Sequence, residues 1–326
     1  MKAVMVRAWL EEPGALQIED VPVPEPGPGE VRIRVAACGV NFADTLIVRG
    51  RYQVRPSLPF SPGFEFAGTV DALGDGVADI RPGDRVAARA PHGGYAEYAL
   101  APAAALFPLP DGIAFEEAAA MPVAYGTAAY ALRDRGRLVP GEAVLILGAT
   151  GGVGLAALHV AKAAGATVLA AVGGPAKAEA ALAAGADIAI DYDGTVPLKD
   201  QVRERTGGRG VHLVYDPVGG DMLDEAMRAT RWGGRYLIVG FAAGRIPDVR
   251  GNLALIKGIE VMGINWPAFA QEEPRASRAL LAGCFADRLA GRLPAMPVET
   301  RPLAEAPSAL ADIAARRVRG KLVLQP

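Results

Sequence analysis

Cysteine and histidine are scarce in this 326-residue chain. Two cysteines, Cys38 and Cys284, exclude a disulfide framework and predict a reduced, cytoplasmic protein. The histidines His92, His159 and His212 are far apart and form no HxxxH or CxxC-type pair, which argues against a structural zinc site. Excess charge is missing as well. Lys plus Arg number 34 against 36 Asp plus Glu, for a net charge of −2. Nucleic-acid binders carry a basic excess or stripe, so no nucleic-acid partner is expected. No run approaches ~18 uninterrupted apolar residues, so no helical membrane span is expected. The opening Met1-Lys2, the short run Ala3–Val6 and then Arg7 lack the apolar core of an export signal.

What is present is enough apolar material for two domains at ~100–200 residues each. Apolar residues make up 51% and charged residues 21% of the chain. The first third is strand-like and heavily punctuated. Val31–Val35 alternates apolar and polar, the period of a half-buried strand, after the turn-rich Pro22–Gly29. Phe66–Val70 and Arg85–Ala87 predict further strands around the turn Pro82-Gly83-Asp84, together a small β-barrel-like domain. After about residue 122 the pattern changes. Strands at Ala143–Leu147, Thr167–Val172, Ile188–Asp191, Val211–Tyr215, Arg235–Val239 and Glu260–Ile264 alternate with helices at Val153–Ala164, Ala176–Ala184, Leu198–Thr206 and Met222–Thr230. That spacing predicts βαβ units and a parallel sheet with helices on both faces. The terminal strand Lys321–Leu324 is expected to return to the first domain, which makes the doubly wound domain an insertion.

The strongest chemical signal runs from Val144 to Gly154: a buried strand, a glycine-rich turn at Gly148-Ala149-Thr150-Gly151-Gly152, then a helix. Glycines let backbone approach a pyrophosphate, whose charge settles on the free N–H groups of a helix N-terminus. Gly151, Gly152 and Val153 are the candidate contacts. The bland alternative is a tight turn packing a helix on a sheet. Thr150 departs from a strict GxGxxG, yet the turn follows a strand and opens a βαβ series, as the motif requires. An NAD enzyme places an acid ~20 residues after the loop to hold the ribose 2′-hydroxyl. Here that place reads Val172-Gly173-Gly174-Pro175-Ala176-Lys177, with no acid to repel a 2′-phosphate. Lys177 in the next helix and Tyr192 past the third strand add a charge and a hydroxyl, which favours NADP(H). Lys177 as a solvated surface lysine and Tyr192 as a strand-end aromatic are the alternatives.

Pro62-Gly63-Phe64-Glu65-Phe66-Ala67-Gly68, then Gly83-Asp84-Arg85-Val86, then the Gly148–Gly154 loop resemble the medium-chain dehydrogenase/reductase superfamily. Cys38–Thr45 and Arg51-Tyr52 are similar to its zinc-independent quinone oxidoreductase (zeta-crystallin-like) branch, and the similarity spans the chain. The resemblance implies an α/β fold: a Rossmann NADP(H)-binding domain at 125–265, inserted into a GroES-like catalytic domain at 1–124 and 266–326. It also implies a homodimer, with Glu260–Ile264 as a bare sheet edge that invites pairing.

Departures from the zinc alcohol dehydrogenases narrow the chemistry. Those enzymes have a catalytic cysteine where this chain has Asn41, and His-Glu where it has Phe64-Glu65. Their four-cysteine lobe is missing. Phe64 cannot hold zinc, so no metal is expected and simple alcohol oxidation is disfavoured. Hydride transfer to a conjugated carbonyl suits such a site, because the acceptor delocalises the incoming charge itself. Asn41 and Tyr52 would line the site, with the Tyr52 hydroxyl polarising a carbonyl oxygen or protonating an enolate. Alternatively, Tyr52 packs beneath Pro56 and Pro59, and Asn41 caps its own turn. Asp44 is expected as the N-cap of a helix starting near Thr45. By position in the family, Thr127, Phe241, Asn265 and Trp266 would contact the cofactor, the last two flanking the nicotinamide, and Arg316 or Lys321 would close over its phosphates. His159 is expected to be a packing or surface residue.

The leading function is an NADPH-dependent quinone oxidoreductase. Its rival is an ene reductase of α,β-unsaturated carbonyls or enoyl thioesters. For the latter, Arg49, Arg51 and Arg55 offer a basic entrance or are merely solvated. A reading from another class is an NADPH-binding structural or sensor protein with little turnover. The partner is thus a small quinone or conjugated carbonyl.

Overall fold

A computed structural model describes every residue from Met1 to Pro326. The chain forms two compact units. One holds Met1–Val123, Ala270–Leu289 and Ala295–Pro326; the other holds Ala124–Phe269 and Ala290–Pro294. The chain thus leaves the second unit four residues later than 266, and 290–294 group with that unit.

The first unit opens with β1 (Lys2–Met5), β2 (Gln17–Asp20), β3 (Glu30–Val40), α1 (Phe42–Ile47), β4 (Glu65–Leu73), β5 (Arg85–Arg89), β6 (Tyr98–Pro102), β7 (Leu106–Pro108) and α2 (Phe115–Ala119). The alternation at Val31–Val35 has its physical outcome: Val31, Ile33 and Val35 are buried and the two intervening arginines are not. Strand β3 then runs on through Cys38–Val40, which is buried throughout. Gly39 is needed there, because a Cβ would stand 2.4 Å from the Ala119 carbonyl oxygen and 2.6 Å from Glu65 Oε1.

The second unit contains α3 (Ala124–Ala129), β8 (Ala143–Leu147), α4 (Gly152–Ala163), β9 (Thr167–Val172), α5 (Pro175–Ala183), β10 (Ile188–Asp191), α6 (Leu198–Arg205), β11 (Val211–Asp216), α7 (Met222–Ala229), β12 (Thr230–Ile238), α8 (Gly251–Lys257) and β13 (Glu260–Gly263), and α9 (Trp266–Glu272) begins in it. Its six strands are parallel in the order β10-β9-β8-β11-β12-β13. Val144–Leu147 is wholly buried, as a central parallel strand covered on both faces demands. The order reverses between β8 and β11, the switch point at which open α/β sheets bind ligands. One boundary differs from expectation. Strand β12 starts at Thr230, where the residue closing α7 is already extended at φ −71° and ψ 137°.

The chain ends in α10 (Pro274–Leu289), β14 (Val298–Pro302), α11 (Ala306–Ala314) and β15 (Lys321–Gln325). Strand β15 joins the first unit's sheet, ordered β14-β15-β3-β4-β5-β7 with β6 also on β3. The terminal strand therefore returns to the first unit, as expected. Its antiparallel register sets Leu322 opposite Val40. No helix is long and apolar enough to cross a membrane.

Candidate functional site

The glycine-rich turn has the geometry its sequence demanded. Gly148 adopts φ +60° and donates its N–H to the Ala171 carbonyl at 2.8 Å. Gly151 caps α4, so the N–H groups of Gly152 and Val153 lie in the first turn, where a helix has no acceptor for them. Gly154 lets that helix approach the strand: a Cβ there would stand 2.2 Å from the Gly148 oxygen. This backbone cradle fits a dinucleotide pyrophosphate. Beyond it, Asp216 closes the end of β11. The buried carboxylate accepts the Val218 and Gly219 N–H groups at 2.8 Å each and the Tyr236 hydroxyl at 2.7 Å. Burial raises its pKa against those three donors.

At the second strand's end, Gly174 takes φ +86° and Pro175 begins α5, with Lys177 in the first turn. The Lys177 side chain is half-buried and ion-paired to nothing. Residues 172–177 hold no acid, as the sequence reads, but the fold brings acids alongside them. Strand β10 pairs in register with β9, Asp191 beside Val172. That brings the Asp191-Tyr192-Asp193 turn against Gly173-Gly174. Asp191 Oδ1 accepts the Gly174 N–H at 2.8 Å, and Asp193 Oδ2 would be 2.5 Å from a Cβ on Gly173. Tyr192 sits half-buried between them.

In the first unit a buried polar cluster surrounds Asn41. Glu65 is wholly buried and Lys321 is 3% exposed. The Lys321 ammonium donates to Glu65 Oε1 at 2.5 Å, to Asn41 Oδ1 at 2.8 Å and to the Val40 carbonyl at 3.3 Å. Asn41 Nδ2 donates to the same Glu65 oxygen at 2.9 Å, and Glu65 Oε2 accepts the Val123 N–H at 2.7 Å. Both ends of the Asn41 amide are held, which fixes its orientation. Lys321 is therefore corrected: its ammonium is consumed inside this cluster and is not available to close over phosphates.

Helix α1 begins at Phe42, with Asn41 as its N-cap residue, so Asp44 is its third residue and not a cap. Asp44 instead reaches back. Its carboxylate accepts the Asn41 N–H at 2.8 Å and the Gly63 N–H at 3.1 Å. Burial drives its pKa up to about 7, opposed by the Asn41 N–H and by Lys321. Tyr52 packs its ring on Phe64, centroids 5.3 Å apart. Its hydroxyl meets no protein hydrogen-bond partner. Burial and then Asp44 raise its pKa while Arg89 lowers it, so the phenol keeps its proton at neutral pH. Arg89 is a residue that sequence reasoning missed. Burial depresses its pKa, with Tyr52 and Glu65 opposing. Its signal was only a charge closing a strand whose middle, Val86–Ala88, is apolar.

The remaining expected contacts divide. Thr127 is buried within α3. Phe241 lies just past β12 and packs over Gly219, where a Cβ would be 2.8 Å from Phe241 Cδ1. Asn265 is exposed and its side-chain oxygen accepts the Ala268 N–H at 3.0 Å. Trp266 is a correction: at 1% exposure its indole lies in the core beside Phe269 and against Gly126, so the ring does not flank a nicotinamide. Arg316 is exposed at φ +57° between α11 and β15. His159 is buried, with Nδ1 2.8 Å from the Tyr125 hydroxyl, and burial lowers its pKa to about 4. Both cysteines are free and buried, and burial pushes the Cys38 thiol up, which leaves it unreactive.

A GroES-like unit that encloses a doubly wound unit in sequence defines a medium-chain dehydrogenase/reductase. Residues 27–111 match the alcohol dehydrogenase GroES-like domain, and residues 152–282 match a family described as zinc-binding dehydrogenase. Bovine quinone oxidoreductase-like protein 2 is 39% identical over 311 residues, covering 95% of this chain and 88% of the relative. The crystal structure of Escherichia coli quinone oxidoreductase complexed with NADPH superposes with a TM-score of 0.92 at 31% identity, over 100% of both chains. A mycobacterial structure complexed with NADPH gives 0.93 at 33% identity, again over 100% of both. Within that class, the chain belongs to the quinone oxidoreductase branch.

Proposed function

We propose that the chain is an NADPH-dependent, zinc-independent quinone oxidoreductase. The observation that carries this reading is the Lys321 ammonium, which sits on Asn41 Oδ1, Glu65 Oε1 and the Val40 carbonyl. The zinc alcohol dehydrogenases have a catalytic cysteine at the position of Asn41 and His-Glu at that of Phe64-Glu65. Here a tethered cation takes the charge of Glu65, and Phe64 offers no ligand. An acceptor must then stabilise incoming charge by its own conjugation, as a quinone does.

NADPH, when bound, supplies the hydride. Gly151, Gly152 and Val153 would hold its pyrophosphate, with Gly173, Gly174, Lys177 and Tyr192 at the adenosine ribose, Thr127, Phe241 and Asn265 as further contacts, and Arg316 toward the phosphates. Asn41, locked by Glu65 and Lys321, would present a fixed amide to the nicotinamide and acceptor. Tyr52, protonated and free of protein partners, would donate to the acceptor oxygen. The two buried cysteines fit a cytoplasmic setting. A homodimer fits β13, which ends its sheet, beside Trp232, Leu255 and Ile256 at 78%, 82% and 71% exposure. A monomer mass by light scattering at micromolar concentration would contradict the dimer.

The functional test is NADPH oxidation against a panel of an ortho-quinone, a simple enone and an enoyl thioester. Fastest turnover with the quinone supports the proposal. Saturation of the C=C bond without quinone turnover would make the chain an ene reductase, and binding without turnover a sensor.

A further inference from the structure

The adenosine-ribose end of the second unit carries two opposed determinants. In a doubly wound nucleotide unit the end of the second strand normally supplies an acid that accepts the ribose 2′-hydroxyl. That position is Gly173 here. The neighbouring strand fills the space instead. Asp193 Oδ2 lies 2.5 Å from where a residue-173 Cβ would stand, with Cγ at 3.1 Å and Oδ1 at 3.3 Å. A carboxylate therefore occupies the volume into which the missing acid would grow. Asp191 braces the turn that carries it, accepting the Gly174 N–H at 2.8 Å and the Asp193 N–H at 3.0 Å on one oxygen. Asp193 is exposed, and its carboxylate has no ion pair or hydrogen bond within the chain. Lys177, in the turn that follows Gly174, is also unpaired.

We propose that Asp193 is a specificity residue for the cofactor, a carboxylate lent by the third strand to replace the acid absent at Gly173. It accepts the ribose 2′-hydroxyl of NADH and opposes the 2′-phosphate of NADPH, while Lys177 does the reverse. The preference between the two cofactors is accordingly set by the balance of these two side chains. This rests on the reading of the unit as a nicotinamide-dinucleotide site.

The test is a set of dissociation constants for NADH and NADPH, measured by calorimetry at low salt on the full chain and two variants. Asp193→Asn keeps the size of an exposed side chain and removes its charge. A charge-assisted hydrogen bond is strong enough that NADH should weaken about 10–100-fold, and NADPH should tighten about threefold or more as like-charge repulsion is lost. Gly173→Ala keeps every charge but forces the Asp193 carboxylate aside, and should shift the ratio of the two constants in the same direction. If both variants leave that ratio unchanged while wild type binds NADPH and reduces quinone, Asp193 has no such role and the functional reading stands. If wild type binds neither dinucleotide, both fail.

Discussion

Lys321→Met removes the ammonium ion-paired to Glu65, both of them buried. The Glu65 carboxylate would be left with the Asn41 amide at 2.9 Å, the Val123 N–H at 2.7 Å and the electrostatic influence of Arg89. Stranding one partner of a buried ion pair costs ~3–5 kcal/mol, because its charge stays out of water uncompensated. At ~2–4 °C per kcal/mol for a domain of this size, the melting temperature should fall by about 6–20 °C. Glu65→Gln in the same chain removes the stranded charge, so the double variant should recover much of the loss. The assay is a double-mutant cycle of thermal melts on wild type, the two single variants and the pair, with a coupling of about 1–3 kcal/mol expected. Turnover should not recover with stability, since Asn41 Oδ1 still lacks its donor. Additive single effects, with coupling under ~0.5 kcal/mol, would refute the buried pair.

Tyr52→Phe should lower kcat by about 10²–10⁴-fold with acceptors that need a proton, and leave NADPH affinity nearly unchanged. Unchanged kcat on every active acceptor would reduce Tyr52 to packing on Phe64. Lys177→Ala should weaken NADPH about 10–100-fold and NADH little, the loss shrinking at high salt. Equal weakening of both cofactors would exclude Lys177 as a phosphate ligand. The buried His159 titrates at about 4 in the fold, against about 6.5 unfolded, so the unfolded chain binds the extra proton between those values. Its contribution is complete above pH ~6.5 and is lost as pH falls towards ~4, by up to ~3 kcal/mol. His159→Gln should flatten the acid loss of melting temperature between pH 7 and 5. Asp44, raised to about 7 by burial, contributes with the opposite sign but is common to both proteins. Identical acid losses would contradict the neutral buried imidazole.

The nucleotide unit was largely legible because buried parallel strands are unbroken apolar runs between glycines. Ala143–Leu147, Thr167–Val172 and Ile188–Asp191 have the same limits in sequence and structure. Thr230 shows the limit of that signal. Its β-branched side chain ends α7 and starts β12 without a turn residue between them. The site was harder to read because its partners are distant in sequence. Lys321 stands out as a charge before an apolar run, yet nothing local reveals a carboxylate 256 residues earlier. Only the β15–β3 and β3–β4 registers bring Lys321 and Glu65 together. Asp193 was overlooked for the same reason, since the β9–β10 register carries it to Gly173. Trp266 was assigned by its position in the family, and nothing local in sequence shows that Gly126 leaves a core slot for its ring.

The most direct measurement is steady-state NADPH oxidation with an ortho-quinone, using protein dialysed against a strong chelator and assayed for residual metal. The account predicts full turnover in metal-free protein, with one hydroquinone formed per NADPH. Loss of that activity on chelation and its return with zinc would contradict it.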